Sequence, residues 1–194
     1  MRVAGTNMRV AMPSRRVAMP SRRVAPVARS TRGRELDDVI ATTARGARAS
    51  EATRRDVERA IDALCASAGA SGGNNARSDG RWRLTYTTER ETLFLLGRAR
   101  GNEAYQTLDV KNGTLRNEVV FNDGKVVFTV DASIEAVSET RMEFAFTSAS
   151  LRFGDFSIPV PPVGKGWFEN VYVDGERRIS RDSRGDTLVC ARDV

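Results

Sequence analysis

The side chains that could do chemistry in this sequence are acids, tyrosines and two cysteines, because histidine, the commonest general base and transition-metal ligand, is absent. Cys65 and Cys190 lie far apart and form no CxxC pair of the kind that binds zinc. We expect two free thiols, with one bridge between them as the alternative. Asp109, Asp174 and Tyr86 could serve an enzyme acting on a hydrophobic substrate, but their spacing shows no paired carboxylates. We therefore predict a non-catalytic protein without metal or cofactor.

The net charge of +6 is concentrated at the start of the chain. Residues 1–34 hold nine arginines and no acid, which leaves 22 of the 31 basic residues and all 25 acidic residues for the rest. A domain that binds nucleic acid needs a basic face to neutralise phosphates. No nucleic-acid partner is therefore expected for the folded part.

Residues 1–34 also contain a direct repeat. RVAMPSR begins at Arg9 and at Arg16, and a degenerate copy, RVAPVAR, begins at Arg23. Such proline-containing repetition cannot bury a core, so we expect disorder. The composition of Arg, Ser, Ala and Val is typical of an organelle transit peptide, with cleavage expected between residues 27 and 45. A nucleic-acid-binding or nuclear-import tail is the alternative.

Residues 35–67 follow a helical period that is interrupted at Arg45-Gly46, which predicts two short amphipathic helices. Ser50 is the expected N-cap of the second helix. The apolar residues recur three or four places apart: Leu36, Ile40, Val57, Ile61 and Leu64. This stripe is narrow and must pack on a larger body. The Gly, Ser and Asn run at 68–80 predicts a flexible linker.

From residue 81 to 194 the sequence alternates with period two, one face apolar and one polar. The dipeptides Asn112-Gly113, Asp123-Gly124, Asp174-Gly175 and Arg184-Gly185 predict tight turns between antiparallel strands. Strands are expected at 81–88, 104–110, 114–121, 125–132, 141–147, 150–154, 168–174, 177–182 and 186–192. Eight or nine strands with one dry face predict a mainly β fold, a single closed antiparallel β-barrel.

The inward side chains of such a barrel are candidate ligand contacts. They are Trp82, Leu84, Tyr86, Phe121, Phe128, Val130, Phe144 and Phe146. Eight strands leave an interior that side chains can fill or that can hold one small ligand. The alternation does not distinguish a packed core from a cavity, so both remain open.

Several blocks, in order, resemble the plastid lipid-associated protein (fibrillin) family over about residues 36–192. They are GRWRLTYTT from Gly80, with the Gly-x-Trp start also found in lipocalins, AYQTLD from Ala104, IPVPP from Ile158, and a closing block from Tyr172 to Val189. The resemblance implies a chloroplast transit peptide and a lipocalin-like barrel. It also implies that the barrel binds or coats a hydrophobic small molecule or lipid, such as a carotenoid, prenylquinone, tocopherol or fatty acid. The expected location is a plastoglobule or the stroma-facing thylakoid surface. An adaptor that docks on a plastid prenyl-lipid enzyme or photosynthetic complex, without binding lipid, is the alternative.

Four residues of the closing block are expected to close the barrel: Tyr172, Asp174, Arg178 and Arg181. We expect Arg181 to cover the indole of Trp82, a contact worth about 0.5–2 kcal/mol, with a solvated arginine as the alternative. Asp174 is expected to be a turn residue or a polar anchor at the cavity mouth.

The segment from residue 156 to 168 is apolar and rich in proline, which predicts a loop or an edge. Its candidate contacts are Phe156, Ile158, Pro161, Trp167 and Phe168. We expect either a lid across one end of the barrel or a loop that dips into a membrane or lipid droplet. In the second case Trp167 would lie at the interface level.

Overall fold

The computed structural model describes residues 31–69, 72–97, 101–162 and 164–193. The predicted transit peptide at 1–34 therefore lies almost entirely outside the described residues. Its last four residues form the start of a helix and are not disordered.

The described residues form three α-helices and nine strands, and each of the four predicted turn dipeptides separates two neighbouring strands. The helices are α1 (Thr31–Ala41), α2 (Glu51–Ala68) and α3 (Arg90–Leu96). The strands are β1 (Gly80–Thr87), β2 (Glu103–Asp109), β3 (Thr114–Phe121), β4 (Val126–Ala136), β5 (Arg141–Phe153), β6 (Phe156–Val160), β7 (Lys165–Val173), β8 (Arg177–Asp182) and β9 (Thr187–Arg192).

The strands form one antiparallel sheet that closes into a ring, which confirms the predicted mainly β, barrel-like fold. Going round the ring, the order is β1, β2, β3, β4, β5, β7, β8 and β9, and β9 pairs with β1. The long strand β5 pairs with β7 through residues 141–145 and with β6 through residues 149–153. The β5–β6 hairpin therefore extends beyond the ring at one end.

Two strands predicted at 141–147 and 150–154 are thus one continuous strand. Its pairing with β4 shifts register where Asp131 faces Ser148 and Ala132 faces Phe146, which leaves Thr147 as a bulge. A bulge bends a strand and increases its twist without ending it. The bend allows β5 to serve both the ring and the projecting hairpin.

Helices α1 and α2 pack on the outside of the ring. Ser50 caps α2 as predicted, its Oγ accepting a hydrogen bond from the Thr53 amide at 3.1 Å. The buried contacts of the predicted helical stripe are outward side chains of β1, β7, β8 and β9: Tyr86, Tyr172, Ile179 and Val189. Burial of this stripe is the main stabilisation of the two helices, because short helices are marginal in water.

The segment at 72–80 is fixed to the ring, contrary to the flexible linker predicted there. Asn75 is buried, and its Nδ2 donates to the carbonyl oxygens of Ser138 at 2.9 Å and Arg141 at 3.1 Å. Its Oδ1 accepts from Asn170 Nδ2 at 2.9 Å. A Cβ on Gly73 would lie 2.0 Å from the Asn170 carbonyl oxygen, so this approach requires glycine. We call residues 72–80 the plug, because they cover the end of the ring at the β4–β5 turn.

Candidate ligand-binding cavity

The ring encloses a cavity of about 670 Å³. This volume lies within the roughly 300–1,000 Å³ typical of small-molecule sites. Its larger apolar lining residues include Leu84, Leu115, Val119, Phe128, Val130, Phe144, Phe146, Phe168 and Leu188. The interior therefore contains a cavity lined by side chains and is not a fully packed core.

One row of paired residues crosses the cavity wall from β2 to β6. Its members are Gln106, Asn117, Val130, Ala149 and Val160, all of which line the cavity. Gln106 Nε2 donates to Asn117 Oδ1 at 2.7 Å, so the polar end of the row is internally bonded. The apolar end leads to the projecting hairpin.

The open end of the cavity is bordered by α3 and by the link between β6 and β7. Glu89, Thr92 and Leu95 line it on one side, and Pro161 and Pro162 on the other. Glu89 accepts a hydrogen bond from the Thr92 hydroxyl at 2.8 Å, and burial raises the pKa of Glu89. Helix α3, which has seven residues and lies between β1 and β2, was not predicted from the sequence.

The guanidinium of Arg184 connects α3 to the β8–β9 turn. It lies 2.9 Å from Glu91 and 3.7 Å from Glu89 on the helix side, and 3.4 Å from Asp182 on the strand side. This arrangement holds α3 beside the mouth.

The closed end of the cavity is built around Trp82 and Arg178, which are both almost fully buried. The Trp82 indole donates to the Ser78 carbonyl oxygen of the plug at 2.7 Å. The Arg192 guanidinium lies 4.1 Å from the centre of the Trp82 ring, and that of Arg178 lies 5.7 Å from it. Burial lowers the pKa of Arg178.

The prediction that Arg181 covers Trp82 is therefore wrong. Arg181 points outward and pairs with Glu58 at 2.9 Å and Asp62 at 3.3 Å on α2. Arg192 and Arg178 lie over the indole instead.

Most predicted interior residues lie where the alternation placed them. Leu84, Phe128, Val130, Phe144 and Phe146 line the cavity. Phe121 packs against the same interior cluster, and Trp82 belongs to it at the closed end.

Tyr86 is the exception, because it faces the helices. The pairing of β1 with β9 shifts between Leu84 and Tyr86, which leaves Thr85 as a bulge and turns Tyr86 to the outer face. Tyr86 therefore cannot contact a ligand inside the ring.

Tyr172 and Asp174 act together at the turn between β7 and β8. The Tyr172 hydroxyl donates to Asp174 Oδ2 at 2.8 Å, and Asp174 Oδ1 accepts from the amides of Glu176 and Arg177. Burial, with the Asp174 carboxylate beside the hydroxyl, raises the pKa of Tyr172 to about 12. Asp174 is thus a turn residue, and its turn lies at the closed end, away from the cavity mouth.

A model of the PAP_fibrillin family matches residues 30–191 of this sequence. The chain belongs to the PAP/fibrillin family. A relative from Arabidopsis thaliana, "Probable plastid-lipid-associated protein 11, chloroplastic", is 36% identical over 167 residues, which are 82% of this chain and 78% of the relative. No solved structure gives a significant match. The resemblance noted in the sequence is confirmed.

In this PAP/fibrillin member the predicted lid or membrane segment is divided between two strands. Phe156 and Ile158 lie on the edge strand β6 and are 80% and 56% exposed, while Pro161 borders the mouth. Trp167 lies on β7 with the Arg141 guanidinium 4.0 Å from its ring centre. Phe168 is buried inside the ring, so its prediction as a lid or membrane contact is wrong.

The three catalytic candidates occupy separate parts of this family member. Asp109 bonds Asn112 at the β2–β3 turn, Asp174 lies at the β7–β8 turn, and Tyr86 lies under the helices. Both cysteines are free thiols. Within the described ranges, no group of three acidic or cysteine side chains could hold a metal ion, and no helix has the length and hydropathy to span a membrane.

Proposed function

We propose that this protein holds one apolar molecule inside its ring and does not turn it over. The observation that carries the proposal is the aromatic-lined cavity of about 670 Å³, open at one end. Carotenoids, prenylquinones and fatty acids are the classes we consider, since each presents a long apolar body to such a wall.

We further propose that the protein works in the plastid, at a plastoglobule or at the stroma-facing surface of a thylakoid. The Arabidopsis thaliana relative carries "chloroplastic" and "plastid-lipid-associated" in its name. The arginine-rich, acid-free residues 1–34 have the composition of a transit peptide. Both observations support a location in the plastid.

The internal ligand is tested by organic extraction of the purified protein and mass spectrometry. We expect one lipid class to be enriched, in an amount close to that of the protein, and to return when the delipidated protein is incubated with plastid lipids. Empty extracts from a folded sample would contradict the proposal. They would favour the adaptor function, in which the protein contacts a plastid protein and binds no lipid.

Exposed apolar side chains are concentrated around the cavity mouth. Phe94 on α3 is 85% exposed, and Phe156 and Ile158 on β6 are 80% and 56% exposed. Helix α3 joins the end of β1 to the start of β2, the same end of the ring from which the β5–β6 hairpin projects. We propose that this rim inserts into the lipid surface and places the mouth against it.

Replacing both Phe156 and Ile158 with serine is expected to reduce binding to galactolipid vesicles by more than about tenfold. The reason is that each inserted apolar side chain contributes roughly 1.5–3 kcal/mol. Vesicle flotation measures the effect. The matched control is Val137→Ser, since Val137 is 49% exposed in the β4–β5 turn, at the opposite end of the ring. Equal flotation of the rim variant and the unmodified protein would reject insertion by this hairpin.

A further inference from the structure

The wall at the closed end of the cavity has a cation directly behind it. Gln106, Phe168 and Cys190 line the cavity, and all three contact the guanidinium of Arg178. Arg178 Nη2 donates to Gln106 Oε1 and lies 4.0 Å from Cys190 Sγ, and the Phe168 ring centre is 5.8 Å away. One layer of side chains therefore separates a positive charge from the ligand space.

This charge has neutral partners only. Arg178 is 1% exposed, Nη1 donates to Asn170 Oδ1 at 3.3 Å, and Nε has no hydrogen-bond partner. No carboxylate within the described ranges lies within ion-pair distance of Arg178. A buried charge without an opposite charge is unfavourable in a low-dielectric interior.

The two arginines of β8 that point outward, unlike Arg178, have carboxylate partners. Arg177 pairs with Asp37 at 2.7 Å, and Arg181 pairs with Glu58 at 2.9 Å. Carboxylates are thus supplied on the face of β8 that carries the helices, and the inward arginine has none. The side of Arg178 that lacks a counter-ion is the side that faces the cavity.

We infer that the cavity binds a long-chain carboxylic acid with its carboxylate at Arg178 and its chain along Phe128, Phe144 and Phe146 toward the mouth. The inference rests on the proposed function, because it requires a ligand inside the ring. The carboxylate takes the position that Gln106 Oε1 now holds at Nη2, and a hydrogen bond between two charged groups is stronger than one to an amide. A hydrocarbon carotenoid offers no acceptor there, and a quinone carbonyl offers no charge.

The test compares ligands that share a chain and differ in the head: hexadecanoic acid, hexadecanol and methyl hexadecanoate. Each displaces a fluorescent apolar probe from the full chain. We expect the acid to bind about 10- to 100-fold more tightly than the alcohol or the ester, the usual range for a hydrogen bond to a charged group.

Two substitutions at Gln106 separate the role of Arg178 from general packing. Gln106→Glu supplies an internal carboxylate to Arg178, so we expect a folded protein in which the preference for the acid is lost. Gln106→Leu removes the competing amide, so the preference is expected to persist or to increase. Thr107→Glu is the control, since it adds the same charge at the next position of β2, which alternation places on the outer face. It should leave the preference unchanged.

The outcomes distinguish the two proposals. If the three ligands bind equally well to the unmodified protein, the inference is wrong and the proposed function stands. If Gln106→Glu keeps the preference, Arg178 is not the carboxylate site. If none of the three binds and no other apolar lipid binds, the proposed function itself fails.

Discussion

Replacing Trp82 with alanine is expected to lower the free energy of unfolding by about 3–5 kcal/mol, the usual loss for a large aromatic side chain removed from a core. Trp82 is fully buried and bonds the plug through Ser78. It also lies beneath Arg192 and beside Arg178, so its removal leaves a cavity and two cations without their aromatic partner. Chemical denaturation followed by circular dichroism measures the loss.

The second tryptophan of the chain provides the matched control. Trp167 lies on the outer face of β7 beneath Arg141 and is partly exposed. Trp167→Ala is expected to cost less than about 1.5 kcal/mol, since a partly solvated cation–π contact contributes little. Each variant retains a single tryptophan, so fluorescence reports the buried and the outer site separately. Equal losses for the two variants would contradict the central position given to Trp82.

Replacing Ala149 with tryptophan is expected to weaken binding of an internal ligand by at least about a hundredfold. Ala149 lines the cavity between Val130 and Val160, and an indole there occupies the space the ligand needs. Because the new side chain fills an existing space, we expect the cost in stability to stay at or below the 1–3 kcal/mol typical of overpacked cores. Probe displacement and a melting curve on the same sample measure both quantities.

Ser150→Trp is the control for this substitution, since the next residue of β5 points to the opposite face. It adds the same bulk outside the cavity and should leave ligand affinity within about threefold of the unmodified protein. A folded Ala149→Trp protein that binds with full affinity would place the ligand outside the ring, at the exposed rim for example.

The strands and turns were predictable because their signals are local. Alternation defines a half-buried strand within one segment, and dipeptides such as Asn112-Gly113 favour the backbone that a tight turn needs. The cap at Ser50 is equally local, because its hydroxyl bonds the amide three residues on. Each of these features depends on a few neighbouring residues only.

The prediction of side-chain direction failed where the backbone departs from strict alternation. Tyr86 has the same parity as Trp82 and Leu84, yet the bulge at Thr85 reverses it. Arg178 and Arg181 lie on opposite faces of β8, but both faces are covered, one by the interior and the other by α2. Sequence pattern does not distinguish two covered faces, and so the wrong arginine was assigned to Trp82.

The plug was missed because its order comes from distant partners. A run of Gly, Ser and Asn has little structure of its own, and Asn75 is fixed by Asn170 and by the carbonyls of the β4–β5 turn. Whether the interior is a cavity or a packed core could not be predicted for the same reason. Alternation indicates which side chains point inward, but the space left between them depends on how the whole ring closes.

The plug at 72–80 covers one end of the ring, so the cavity opens at the other end only. A ligand bound inside the ring, as proposed, would have one opening, so the part that enters first would leave last and both steps would take place at the mouth. Transport of such a ligand would therefore require the whole protein to move between lipid surfaces, since residues 72–80 cover the other end of the ring.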